Sequence, residues 1–258
     1  MIVLRFILGC ILGAGVGFGT GYLLGDQVFQ FDSSTSLIVA AVMGGIAGIY
    51  SAFALASRIY KLGFFSILGY IIDNTWSLLN SLAGLAVWIP AALITGAKFL
   101  SPTPDSRRSG TFVYDKNPRD PSGTVFLATT VGTVIAGKWS SHEEIHVWQA
   151  RLYGPVYGLI YFLSFGLNCL ALLPFRRNAL MEDAYRRICF EEWAYWGGTT
   201  SGSVISWGGW IGGFFLTLLY CSLVLVIPIG FATQQTLLWI IGIGGLLVYS
   251  VVRALLPA

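Results

Sequence analysis

His142 and His146 are the only histidines in the 258-residue chain, and they stand four apart in Ser-His-Glu-Glu-Ile-His. On a helix that spacing is about 6 Å of rise and nearly one full turn, so both imidazoles leave the same face. Two imidazoles placed this way can grip a zinc ion. Glu143, directly after the first, would take the proton of a zinc-activated water attacking a carbonyl. This is the physical content of the HExxH pattern. Two histidines fall four apart by chance about once in 130 placements, and a glutamate in the next position lowers that to roughly one in 6,000. All the glutamates of the chain, Glu143, Glu144, Glu182, Glu191 and Glu192, fall in this one region; every other acidic residue is an aspartate.

A hydrolytic zinc site takes three protein ligands and leaves a fourth position for water. No histidine remains, so the candidates for the third are Glu182, Cys189, Glu191 and Glu192. Read as a helix, their segment puts Glu191 on a face with Ile188, Ala184 and Tyr195. Glu192 shares a face with Cys189 and Ile188, and geometry alone leaves the two close to even. Tyr153, Tyr157, Tyr185, Tyr195 and Arg151 are candidate donors to a tetrahedral oxyanion. Packing or interfacial anchoring is the plainer role for each.

The run His142-Glu143-x-x-His146-x-x-Gln149, with Tyr153-Gly154-Pro155 and Phe190-Glu191-Glu192-Trp193-Ala194 after it, resembles the gluzincin branch of HExxH zinc metallopeptidases. Within that branch it is similar to bacterial predicted-peptidase sequences carrying HExxHxxQ and a later Phe-Glu-x-x-Ala. Tyr195 stands where membrane gluzincins with Glu-x-x-Ala-Asp have their aspartate. The resemblance covers roughly Asp73 to Tyr195. It implies His142, His146 and Glu191 as zinc ligands, Glu143 as general base, and peptide-bond hydrolysis as the activity. A bacterial cytoplasmic membrane is the location it suggests. It also implies that the strand region Thr124–Ala136 lines a substrate cleft by edge pairing.

The elements around this constellation are those of a membrane protein. Hydrophobic residues make up 55% of the chain and charged ones 10%, with a mean hydropathy of +0.73. Soluble domains carry about 25% charged residues, so lipid is the expected solvent. A net charge of +3 with scattered basic residues gives no support to nucleic-acid binding. Four cysteines without a CxxC pair argue against a disulfide framework or a cysteine-bound zinc.

Crossing the hydrocarbon core takes about 20 apolar residues in a helix. Ile2–Leu24, Leu37–Ala56, Val204–Ile229 and Thr236–Val252 qualify, the first as a retained helix rather than a cleaved signal peptide. Gly9, Gly13, Gly17, Gly21 and Gly25 recur every four residues, and Gly44, Gly45 and Gly48 lie in the second stretch. Small residues so spaced allow close backbone approach, which predicts a glycine-faced hairpin. Arg5, Arg58 and Lys61 flank that hairpin, which places the N-terminus and the HExxH domain in the cytoplasm. Residues Phe64 to Leu100 are apolar but broken by Asp73, Asn74, Asn80 and Pro90, and read as surface or re-entrant helices. Ser101 to Ser122 reads as loop, and Thr124–Thr130 and Thr133–Ala136 as short strands broken at Gly132. Ser140 and Ser141 each precede a glutamate by three, the capping-box pattern of a helix start, and Gly154-Pro155 marks its end. If Pro155 to Pro174 crossed the membrane, His142 and Glu191 would begin on opposite sides. The basic residues Arg176, Arg177, Arg186 and Arg187 favour instead a buried or re-entrant hairpin.

The expected fold class is a mainly α membrane protein. About four transmembrane helices in two hairpins, 1–60 and 201–258, flank a membrane-sunk zincin-like α+β domain, 61–200, with a short sheet. Expected partners are membrane lipids, a peptide or membrane-protein substrate, and a homo-oligomer or larger membrane complex. The alternative function is a non-catalytic membrane scaffold or subunit that retains the zincin-like shape. Its glycine-faced helices and Trp193, Trp196, Trp207 and Trp210 would serve packing and interfacial anchoring.

Overall fold

A computed structural model describes residues 1–117, 128–174, 180–200 and 204–255. Two compact units divide the chain: Met1–Trp139 with Val147–Pro155, and Ser140–His146 with Val156–Ala258. Among the described residues, six helices are long and apolar enough to cross a membrane: Ile2–Val28, Ser33–Ala56, Leu78–Thr95, Ser141–Leu172, Trp207–Ala232 and Thr236–Arg253. Four of them coincide with the stretches read from the sequence. Leu78–Thr95 and Ser141–Leu172, 18 and 32 residues long, qualify as well.

The first unit opens with α1 (Ile2–Leu23), a π-helical turn at Leu24–Val28, and α2 (Ser33–Ala56). Asp32 caps α2, its carboxylate accepting from the backbone N–H groups of Ser34 and Thr35. The predicted glycine face is present. Gly9, Gly13, Gly17 and Gly21 are the buried residues of α1. A Cβ at Gly13 would stand 2.4 Å from the Ala47 carbonyl oxygen, whereas Gly15 and Gly19 on the other face meet nothing within 4 Å. The helices touch backbone to backbone because no side chain separates them.

Next come α3 (Phe64–Asp73) and α4 (Leu78–Thr95). The polar residues that interrupt this stretch in the sequence are turned into protein. Asp73 is fully buried against Arg151, whose Nε and Nη2 donate to the two carboxylate oxygens at 2.9 and 2.6 Å. Asn80 Nδ2 donates to the carbonyls of Ala150 and Gly154 at 3.0 and 2.5 Å. Polar groups satisfied inward leave an apolar exterior, so α4 keeps a length suited to spanning despite Asn80 and Pro90.

Within the polar run read as loop, two short elements form: α5 (Pro104–Ser109), capped by Thr103, and β1 (Phe112–Tyr114). The strand exists because Phe112 and Val113 are buried and β1 pairs in parallel with β3 (Val134–Gly137). β2 (Ala128–Val131) pairs antiparallel on the other side of β3, giving the order β1-β3-β2. The break at Gly132 is a turn with φ of 57°, and a Cβ there would meet the Asn80 carbonyl oxygen at 2.0 Å. Only glycine fits that position. Residues 124–127 of the predicted first strand lie outside the described residues. Tyr50, Ile59, Leu78, Trp88, Phe112 and Val134 form the core of this unit.

The second unit carries the start of α6 (Ser141–Tyr153), then α7 (Tyr157–Leu172), α8 (Leu180–Arg186), α9 (Cys189–Gly197), α10 (Trp207–Ala232) and α11 (Thr236–Leu255). Arg176 and Arg177, used above for orientation, lie outside the described residues.

Candidate metal centre

Helix α6 begins where the capping pattern places it. Ser140 Oγ accepts from the Glu143 N–H at 3.4 Å, and the Ser140 carbonyl accepts from Glu144 N–H at 3.0 Å. Of the two candidate caps, Ser140 takes the role. Ser141 instead donates to the Val204 carbonyl and accepts from the Thr199 N–H, at 2.7 and 2.8 Å. These bonds tie the first turn of α6 to the chain after α9. Gly198 packs there too: a Cβ on it would stand 2.6 Å from the His142 nitrogen.

His142 and His146 project from one face, as their spacing requires, with Nε2 atoms 3.2 Å apart. Glu191, from α9, brings Oε2 to 3.5 Å from His142 Nε2 and 3.4 Å from His146 Nε2. A tetrahedral zinc with bonds of about 2.0–2.1 Å needs its ligand atoms about 3.3–3.4 Å apart, so the triangle has the right size. Its chemistry is also right, with two imidazole nitrogens and one carboxylate oxygen at a buried point. The two imidazoles face Glu191 Oε2, and no other donor to it is found among the described residues. All the residues are secluded: His142 is 4% exposed, His146 5%, Glu191 2% and Glu143 8%.

These three side chains could hold a metal ion.

The chain matches no protein-family model, no curated protein and no solved structure. The likeness to gluzincins therefore rests on the motif residues, and the site is read on its own geometry.

Burial by itself would discourage ionisation of Glu191, but the His146 and His142 imidazoles outweigh it and hold the carboxyl well below the usual range. Its other oxygen, Oε1, accepts from the Tyr161 hydroxyl at 2.8 Å. Tyr185 bonds the same carboxylate. Oε2 thus faces the imidazoles while the Tyr161 phenol holds Oε1, which suits a carboxylate binding a metal through one atom. Burial first, and then the Glu191 charge, push the Tyr185 and Tyr195 phenols up, with Glu143 adding in both cases. Both remain hydrogen-bond donors at neutral pH. The Tyr195 ring lies 4.5 Å from that of His142 and is 43% exposed.

The other residues singled out from the sequence go elsewhere. Glu182 is exposed and pairs with Arg186 one turn on. Cys189 is buried, its N–H bonded to Ser164 Oγ and its carbonyl to the Thr217 hydroxyl. Glu192 pairs with Arg253 of α11. Arg151, offered above as an oxyanion donor, has two of its nitrogens committed to Asp73. The sequence reading missed two residues. Tyr161 lies in the stretch read as a buried or re-entrant hairpin, where its hydroxyl was the available signal. Arg253 is the sole charged residue after Glu192, and such isolation in an apolar stretch marks it as partnered.

Proposed function

We propose that this protein is a zinc-dependent hydrolase of a cell membrane, with peptide bonds as its substrate. The observation that carries the reading is the convergence of His142 Nε2, His146 Nε2 and Glu191 Oε2 at ligand–ligand spacing. His142, His146 and Glu191 would hold the ion. When bound, zinc polarises a carbonyl and makes water acidic enough to attack at neutral pH. Glu143 takes the proton from the attacking water and returns it to the leaving amine. Tyr195, protonated and with its ring beside that of His142, would donate to the oxygen that gains charge. Tyr161 and Tyr185 fix the Glu191 carboxylate.

Six helices of spanning length support a place in the bilayer. Arg5, Arg58 and Lys61 support a cytoplasmic N-terminus and a cytoplasmic end to α2 in a bacterial cell, and the HExxH helix faces the same side where α4 re-enters rather than crosses.

The deciding experiment is elemental analysis of detergent-purified protein, kept away from chelators, beside His146→Ala, Glu191→Ala and Glu143→Gln. The expected result is one zinc per chain in the wild type and in Glu143→Gln, with loss in the two ligand variants. A folded wild type without metal defeats the reading. Zinc that supports no Glu143-dependent cleavage of any peptide substrate leaves the site as the structural centre of a membrane scaffold.

A further inference from the structure

Helix α9 carries two adjacent glutamates, and both are buried. Neighbouring residues on a helix differ by about 100° around its axis, so a roll of that size would bring Glu192 before the imidazoles, and a smaller one would already misalign Glu191. With nine residues, α9 is too short to hold its own orientation. Something outside it must set the roll.

Two contacts come from α10. Trp193 packs against Trp210 and Phe214, with ring centroids 5.3 and 5.7 Å away, and the Thr217 hydroxyl donates to the Cys189 carbonyl. Neither contact involves a glutamate. From α7 and α8, Tyr161 and Tyr185 hold the Glu191 carboxylate itself. Arg253, in the last turn of α11, engages its neighbour instead: it donates through Nη2 to Glu192 Oε1 and lies 5.9 Å from the Trp196 ring centroid. No other charged residue follows Glu192 in the sequence. A lone charge in so apolar a stretch is costly unless its partner matters.

We infer that Arg253, by pairing with Glu192, is a positioning residue that selects Glu191 as the carboxylate facing His142 and His146. This rests on the zinc reading above. Arg253 touches none of the three ligands. It acts by fixing the roll of α9 against α11, with the Arg253–Glu192 pair as the tether.

The test uses the full-length protein in detergent. Zinc affinity is measured by competition with a chromophoric chelator, and coordination by the visible absorption of the cobalt-loaded protein. Arg253→Gln is expected to bind zinc about 10–100-fold more weakly and to shift the cobalt bands, as loss of an orienting partner does. The double variant Glu192→Leu with Arg253→Met removes both charges together, so no buried charge is stranded if the single variant fails to fold. It is expected to show the same weakening. Wild-type affinity with an unchanged cobalt spectrum, in either folded variant, overturns the inference. If His146→Ala loses zinc while these variants keep it, only the positioning role is lost. If the folded wild type binds no zinc, the zinc reading itself falls.

Discussion

Arg151 grips Asp73 through two nitrogens of its guanidinium, at 2.9 and 2.6 Å, with both side chains removed from solvent. The fork is packed from two sides by glycine: a Cβ at Gly69 would come within 2.9 Å of the guanidinium carbon, and one at Gly110 within 3.1 Å of Nη2. Tyr60 adds a hydrogen bond to the same carboxylate at 2.6 Å, and Tyr50 continues the chain to Tyr60 at 2.8 Å. Removing one partner of such a pair strands the other. Asp73→Ala is expected to cost about 3–5 kcal/mol, whereas the double variant Asp73→Ala with Arg151→Met costs much less. Thermal unfolding in detergent checks both. Equal losses in the two would mean that packing, not charge, is at stake.

Tyr161 supplies the hydroxyl that holds Glu191 Oε1. Tyr161→Phe keeps the ring and removes that bond, so zinc affinity should fall about tenfold with little change in stability. Chelator competition measures the first and thermal unfolding the second.

Tyr195 is a different case, since its ring lies beside that of His142. Tyr195→Phe should leave one zinc in place and lower kcat by about 10²-fold, the scale of losing one donor to a developing oxyanion. A fall in zinc content with turnover per zinc unchanged would instead make it a support for the ligands.

Metal removal should also register in stability. A ligand at 100 times its Kd adds about 2.7 kcal/mol to the folded state. Chelator should therefore lower the unfolding temperature of the wild type and leave that of His146→Ala unmoved. An identical response in both proteins would place any bound metal elsewhere.

The hairpin allows a paired comparison. Gly13→Ala drives a methyl to 2.4 Å from the Ala47 carbonyl oxygen, while Gly15→Ala meets nothing within 4 Å. The first should destabilise by 1 kcal/mol or more, in the range of about 1–3 kcal/mol for overpacked sites. The second should be neutral in thermal unfolding, because its methyl points away from the partner helix.

What was legible in the sequence was what local periodicity controls. The two histidines, the helix start at Ser140, the turn at Gly132 and the glycine face of α1 all follow from spacing along one segment. What was not legible depends on partners far away. The choice between Glu191 and Glu192 could not be made from their helix, because Arg253 lies 61 residues beyond Glu192. Asp73 and Asn80 looked like obstacles to burial until their partners, 78 and 70 residues on, satisfied them. β1 was hidden because three residues in a proline-rich polar run carry almost no alternation to read, and only pairing with β3 makes them a strand.

The backbone contact between α1 and α2 has one more consequence. Where a Cβ would strike the carbonyl oxygens of Ser51, Ala47 and Met43, the glycines present only Cα hydrogens. Carbon–hydrogen donors facing carbonyl acceptors attract one another weakly, each adding about 0.5–1 kcal/mol. That attraction owes nothing to the expulsion of water, and so would act equally between helices in hydrocarbon. The hairpin is thus held by forces that survive a change of solvent, and exchanging lipid for detergent should leave its two helices joined.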